Sequence, residues 1–240
     1  MLGFGRLAAG AFVPMYILVT LFLAVLAALP ASAQIAPTEA ELRAYGGLHA
    51  AAARGDVADI EKRIAAGENK EAVDIRQRTP LHVAVFHKKY DAARALIRLG
   101  ADPNRLEIDR YDIITIASVA NDVPMLKIAL EGGGNARAVT SRYDGTALIA
   151  AAHLGHAEVV RMLIKAGAPL DHVNNLKWTA LIESIVLGDG GRNHTETLRA
   201  LAEAGANVNI PDGTGSTPLK LAKDRGYREM VAILEKAGAK

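Results

Sequence analysis

The chain has 240 residues, half of them hydrophobic, yet it contains only four Phe, six Tyr and one Trp, and no Cys. Its 28 basic and 26 acidic residues nearly balance, and no basic run marks a surface for nucleic acid. Without Cys, disulfides, thiolate zinc sites and cysteine nucleophiles are excluded. A core of Ala, Leu, Ile and Val is therefore expected, packed between closely apposed helices.

The N-terminus reads as an export signal. Arg6 is the only charge before the apolar stretch 7–29, which ends at Pro30-Ala31-Ser32-Ala33. A positive start, an apolar middle and a small-x-small ending predict a signal peptide over residues 1–33, cleaved before Gln34, and hence a periplasmic protein. The alternative is an uncleaved inner-membrane anchor, because 23 apolar residues can span about 30 Å of hydrocarbon.

The first predicted element after this segment is a short helical turn. Thr38 and Glu41 have the spacing of a capping box, in which each side chain satisfies a backbone N–H of the other. We therefore expect residues 38–45 to form a helix that covers the start of the folded domain. Gly46-Gly47 follows directly and predicts a loose opening to the first repeat.

Two columns of residues recur with a period near 33, which indicates an internal repeat. A glycine that closes a helical stretch returns at spacings of 33, 33, 34, 38 and 33 residues. The glycines are Gly67, Gly100, Gly133, Gly167, Gly205 and Gly238. The second column is the apolar residue that opens a helix, found at Leu48, Leu81, Ile114, Leu148, Leu181 and Leu219.

The sequence between these columns resembles the ankyrin repeat. Residues 79–84 read Thr-Pro-Leu-His-Val-Ala, and residues 145–148 read Gly-Thr-Ala-Leu. The resemblance implies an all-α solenoid of six helix-turn-helix repeats joined by hairpin-like turns, within a domain at 34–240. The expected repeats are about 45–77, 78–110, 111–144, 145–177, 178–215 and 216–240.

The fifth repeat is five residues longer, and the expansion is predicted between its two helices at 188–196. A glycine-rich loop that enters a helix can present backbone N–H groups to an anion, here from Gly190 and Gly191 with help from Arg192. The loop lacks the Lys-Ser/Thr of a P-loop, so nucleotide hydrolysis is not indicated. The two interpretations are a tolerated surface insertion and a small-ligand or anion site.

The resemblance implies that a partner binds the projecting turns and the exposed face of the first helices. Aromatic and Arg side chains, which are typical of binding hot spots, are expected at or beside the turn tips. These are Arg78, Arg110, Tyr111, Arg142, Tyr143 and Trp178. Late positions of the first helices predict an apolar groove formed by Phe86, His87, Val119, His153, Leu154, Val186 and Leu187. Alternatively, Val119 and Val186 only pack against adjacent repeats.

No catalytic motif occurs in the chain: there is no H-E-x-x-H, no dinucleotide fingerprint and no Ser/His/Asp arrangement. His153 and His156 lie near Glu158, but they are expected on different segments, which disfavours a metal site. The sequence therefore predicts a non-enzymatic, monomeric scaffold that binds another protein, without a cofactor or a nucleic-acid partner.

Overall fold

The computed structural model describes residues 34–240. The predicted signal peptide lies outside the described residues. Helix α1 (Glu39–Ala44) precedes six helix pairs. The first helices of the pairs are α2 (Gly47–Arg54), α4 (Pro80–Phe86), α6 (Ile113–Val119), α8 (Ala147–His153), α10 (Ala180–Val186) and α12 (Pro218–Asp224). The second helices are α3 (Val57–Ala65), α5 (Tyr90–Arg98), α7 (Val123–Glu131), α9 (Ala157–Lys165), α11 (Arg192–Glu203) and α13 (Arg228–Lys236).

This arrangement is the predicted ankyrin solenoid. Neighbouring first helices pack side by side, and so do neighbouring second helices. Two short antiparallel strands, β1 (Val139–Thr140) and β2 (Gly145–Thr146), form the turn between the third and fourth repeats. No helix among residues 34–240 is both long enough and apolar enough to cross a membrane.

The first helices are short because both of their ends are fixed locally. From the second repeat onward, a Thr or Asp side chain at the N-cap accepts a hydrogen bond from a backbone N–H in the first turn. The chain then leaves α4 and α6 through Lys88 and Asn121, which have positive φ values of 53° and 50°. Gly55, Gly155 and Gly226 do the same after α2, α8 and α12.

The core is built from small apolar side chains, as the composition predicts. One alanine in most first helices is no more than 1% exposed, which lets the paired helices approach closely. These residues are Ala51, Ala84, Ala117, Ala151 and Ala222. Ser184 takes this place in the fifth repeat, where its hydroxyl donates to the carbonyl of Leu181 at 2.8 Å.

Helix α1 is fastened to the repeats by a buried ion cluster. Its capping box forms as predicted, between Thr38 and Glu41. The fully buried guanidinium of Arg78 donates to Glu41 at 2.5 Å and to Asp74 at 2.7 Å, and also to the carbonyl of Ile35 at 3.2 Å. The hydroxyl of Tyr45 donates to Asp74 at 2.6 Å. Burial alone would raise the pKa of Asp74, but hydrogen bonds from Tyr45 and Arg78 lower it.

His82 links the first helix of the second repeat to the following turn. Its side chain is buried, Nε2 donates to the carbonyl of Arg105 at 3.0 Å, and Nδ1 accepts from the N–H of Thr79 at 3.2 Å. Burial lowers the pKa of His82 to about 4, against hydrogen bonds that favour the charged form. The imidazole is therefore neutral in the folded chain.

This buried imidazole predicts an acid-sensitive stability. The unfolded chain binds a proton at His82 below pH 6.5, whereas the folded chain does not bind it until about pH 4. The stabilisation is present above pH 6.5 and is lost as the pH falls, by about 2 kcal/mol at pH 5. Urea unfolding at pH 7 and pH 5 measures it. His82→Gln is the control, and an equal loss in that variant would contradict the assignment.

Candidate interaction surface

The turns that project between repeats share one hydrogen-bonding scheme. We number them turn 1 to turn 5, with residues 74–78, 107–111, 141–145, 174–178 and 212–216. In each turn the side chain of the first residue accepts from the backbone N–H groups of the third and fifth residues. The first residues are Asp74, Glu107, Ser141, Asn174 and Asp212.

This scheme corrects the predicted register of the turn tips. Arg78 and Tyr111 occupy the fifth position, and they are 0% and 6% exposed. The prediction that they stand at exposed tips is therefore wrong, because the fifth residue turns back beneath the hairpin. Trp178, at the same position of turn 4, is half-buried. Burial raises the pKa of the Tyr111 hydroxyl to about 12.

The large apolar side chains that are most exposed on these turns lie at the second or third turn position. Ile75 is 85% exposed and Ile108 is 50% exposed, and the predicted contact residue Tyr143 is 51% exposed. Leu176 is 38% exposed at the third position of turn 4. Sequence reasoning missed Ile75, Ile108 and Leu176. The sequence did contain a signal for them: each follows, by one or two residues, an Asp, Glu or Asn that recurs at the repeat spacing.

A ladder of charges connects the first three turns. The buried carboxylate of Asp109 lies between Arg76, at 2.8 Å, and Arg142, with which it also forms an ion pair. Arg110 is exposed, as predicted, and contacts Asp144 at 3.4 Å. A backbone hydrogen bond also joins turns 1 and 2, because the N–H of Ile108 donates to the carbonyl of Arg76 at 2.9 Å.

The predicted groove residues lie together at the ends of consecutive first helices. They occupy the last residue or the C-cap of α4, α6, α8 and α10, and each is half-buried. These residues are Phe86, His87, Val119, His153, Leu154, Val186 and Leu187. Burial, and then the nearby charge of Lys89, lower the pKa of His87, so this residue adds no charge near neutral pH.

A buried carboxylate lies beside this groove. Glu183 in α10 is 3% exposed, and its Oε1 accepts from the amide of Asn174 at 2.9 Å. Its Oε2 lies 3.3 Å from Nδ1 of His153. His156 instead contacts the carbonyl of Ser118 at 3.0 Å. The two histidines thus serve different segments, and residues 34–240 contain no cluster arranged to hold a metal ion.

The insertion in the fifth repeat differs from its prediction. Half of it is helical, because α11 begins at Arg192 and has 12 residues where the other second helices have nine. The proposed anion position beside Gly190 and Gly191 is filled by the chain itself. The carboxylate of Asp189 accepts from the N–H of Gly191 at 2.8 Å and pairs with His194 at 3.0 Å. A second anion there would meet a like charge, which disfavours the anion-site interpretation.

The glycines of this insertion serve packing. A side chain at Gly190 would collide with the ring of Tyr227, and one at Gly188 would collide with the carbonyl of Ser184. The Tyr227 hydroxyl donates to the carbonyl of Gly188 at 2.9 Å. Nε2 of His194 contacts the carbonyl of His153 at 3.0 Å. The insertion is therefore docked between the fourth and sixth repeats.

Comparison with known proteins agrees with this architecture. The family model described as ankyrin repeats (3 copies) matches residues 114–212, and the single ankyrin repeat model matches residues 76–107. The ankyrin repeat protein YahD of Escherichia coli strain K12 is 32% identical over 190 residues, which is 79% of this chain and 94% of YahD. The B-cell lymphoma 3 protein homolog of Mus musculus is 29% identical, and the match spans 80% of this chain but 44% of that protein.

Solved structures show the same fold. An ankyrin repeat domain from Acinetobacter baumannii AYE superposes with a TM-score of 0.77 and 42% identity, covering 80% of this chain and 98% of that one. The ankyrin repeat domain of Bcl-3 gives a TM-score of 0.73 and 26% identity, covering 82% and 87%. Ankyrin repeats generally mediate protein–protein interaction and are typically not enzymes. The chain belongs to the ankyrin-repeat family.

Proposed function

We propose that this protein is a periplasmic scaffold that binds another protein in the groove along its first helices. The observation that carries the proposal is the row of half-buried apolar side chains at the ends of α4, α6, α8 and α10. Contiguous exposed apolar surface on a folded protein commonly marks an interaction site. Arg78 and Tyr111 are buried and leave the proposed contact set, whereas Phe86, Leu154 and Leu187 remain in it.

The groove also offers a polar contact among its apolar ones. Nδ1 of His153 lies 3.3 Å from Oε2 of Glu183, and the His153 side chain is 35% exposed. This imidazole, beside Leu154, can give a partner one orienting hydrogen bond within an apolar contact. Such a combination supplies specificity at the centre of a protein interface.

A charge placed in the groove should weaken partner binding. We expect Leu154→Lys to weaken capture of the partner at least tenfold, because an ammonium group would be buried against an apolar surface. Cross-linking and pull-down from a periplasmic extract identifies the partner, and titration with the purified partner measures the affinity. Met162→Lys is the matched control, since Met162 is also half-buried but lies on second helix α9. Equal binding by both variants would refute the groove.

The periplasmic location rests on residues 1–33 and has its own test. Intact-mass measurement of the exported protein should give a chain that begins at Gln34. Retention of Met1 in a membrane fraction would favour the tethered scaffold instead. A cytoplasmic chain that retains Met1 would contradict export, and it would leave the groove experiment unaffected.

A further inference from the structure

The exposed apolar residues of this protein are concentrated on the projecting turns. Nine large hydrophobic side chains of residues 34–240 are exposed, and all except Ile35 lie within turns 1 to 4 or one or two residues before them. The other eight lie at or just before the tips of turns 1 to 4, and we name this surface the turn ridge. Its members are Val73, Ile75, Leu106, Ile108, Val139, Tyr143, Val173 and Leu176.

Cations occupy the outer layer of the turn ridge. Each of its four turns carries a basic residue in its second, third or fourth position, and the side chains of Arg110 and Arg142 are 50% and 70% exposed. Lys177 is exposed as well. The basic residues are Arg76, Arg110, Arg142 and Lys177.

The acidic groups of the same turns lie beneath this layer. Asp74, Glu107 and Asp109 are each buried and accept hydrogen bonds or ion pairs from within the turns. Asp144 is the exposed acid at these tips, with 55% of its side chain accessible. A partner that approaches the turn ridge therefore first meets aliphatic groups, cations and one carboxylate, that of Asp144, which pairs with Arg110.

We propose that the turn ridge docks on the surface of an anionic lipid bilayer. Interfacial binding combines apolar side chains that enter the boundary between headgroups and acyl chains with Lys and Arg that contact lipid phosphates. The turn ridge has both, on protruding tips that a deformable bilayer accommodates without a complementary shape. Seven of its eight apolar residues are Val, Ile or Leu, whereas the apolar hot spots of protein interfaces are enriched in Trp and Tyr. These features favour lipid over an acidic protein.

The absence of cysteine permits a direct test on the full chain. Ile108→Cys carries an environment-sensitive fluorophore on the turn ridge, and Ala120→Cys carries it at the far end of helix α6, where the backbone is exposed. Each labelled chain is mixed with vesicles of phosphatidylglycerol and phosphatidylethanolamine, or with vesicles of phosphatidylcholine alone. Both chains keep residues 1–33, so insertion of that segment is common to the two.

The proposal expects one pattern of fluorescence. On phosphatidylglycerol vesicles the label at 108 shifts to shorter wavelength and becomes protected from aqueous iodide, while the label at 120 does neither. Equal behaviour of the two labels overturns the proposal. The proposal is also overturned if the label at 108 responds to a protein partner without lipid but not to vesicles, because the turn ridge would then bind protein.

Two further variants separate the contributions of charge and apolar surface. Arg110→Gln with Arg142→Gln should weaken binding to phosphatidylglycerol vesicles roughly 25-fold, since each cation near an anionic surface strengthens binding about fivefold. Ile75→Ser with Ile108→Ser should weaken binding at least tenfold, with an unchanged melting temperature because both side chains are exposed. Full vesicle binding by both double variants, read from a label at position 176, overturns the proposal.

Discussion

Arg78→Met is expected to lower the free energy of unfolding by about 3–5 kcal/mol. The guanidinium of Arg78 is fully buried and pairs with Asp74 and Glu41. Its removal leaves a buried carboxylate at Asp74 without its cation, and it releases the carbonyl of Ile35. Urea unfolding followed by circular dichroism measures the loss. Because the cluster fastens α1, the variant should also become sensitive to proteases between residues 34 and 45.

Arg110→Met is the control for this experiment. Its ion pair with Asp144 is half-exposed on both sides, and such surface pairs contribute about 0–1 kcal/mol. The two variants remove the same functional group from the same face of the molecule. A loss below about 1 kcal/mol for Arg78→Met would show that the cluster is solvated, and Arg78 would return to the candidate partner contacts.

Tyr111→Ala is expected to lower the free energy of unfolding by about 3 kcal/mol, because it leaves a cavity beneath turn 2. The side chain is 6% exposed, and burial raises the pKa of its hydroxyl to about 12. The folded chain therefore keeps this proton above pH 10, where the unfolded chain loses it. This contribution to stability is present below pH 10 and is lost as the pH rises through about 12.

Tyr143→Ala is the matched control for Tyr111→Ala. Tyr143 lies on the neighbouring turn and is 51% exposed, so its removal should change stability by no more than about 0.5 kcal/mol. Thermal and urea unfolding of both variants provide the comparison. Equal, small losses would place Tyr111 at the surface and restore the register predicted from the sequence.

The parts of the fold that were predictable depend on local chemistry. The capping box of Thr38 and Glu41 and the N-cap of Thr79 both follow from residues within four positions. The repeat period could be read because each unit packs on its neighbours in the same way. Apolar side chains in the helix ends predicted the row of half-buried residues that runs from Phe86 to Leu187.

The register of the turns required information that the repeat period does not contain. Arg and Tyr at the fifth turn position look like surface residues, yet Arg78 is buried because Glu41, 37 residues earlier, lies over it. Likewise, the glycine run of the insertion left two interpretations open, a tolerated surface loop and an anion site. It is closed by Tyr227, which is 39 residues from its hydrogen-bond acceptor Gly188. Such partners are distant in sequence and have no fixed spacing.

The docked insertion changes how the solenoid shares its cooperativity. In a simple repeat array each unit contacts only its immediate neighbours, so its end units open independently. Here His194 of the fifth repeat contacts the carbonyl of His153 in the fourth, and Tyr227 of the sixth contacts Gly188 in the fifth. Both contacts join immediate neighbours, and they strengthen the interface of the fifth repeat with the fourth and with the sixth. We therefore expect the C-terminal end to fray less readily than it would with packing contacts alone.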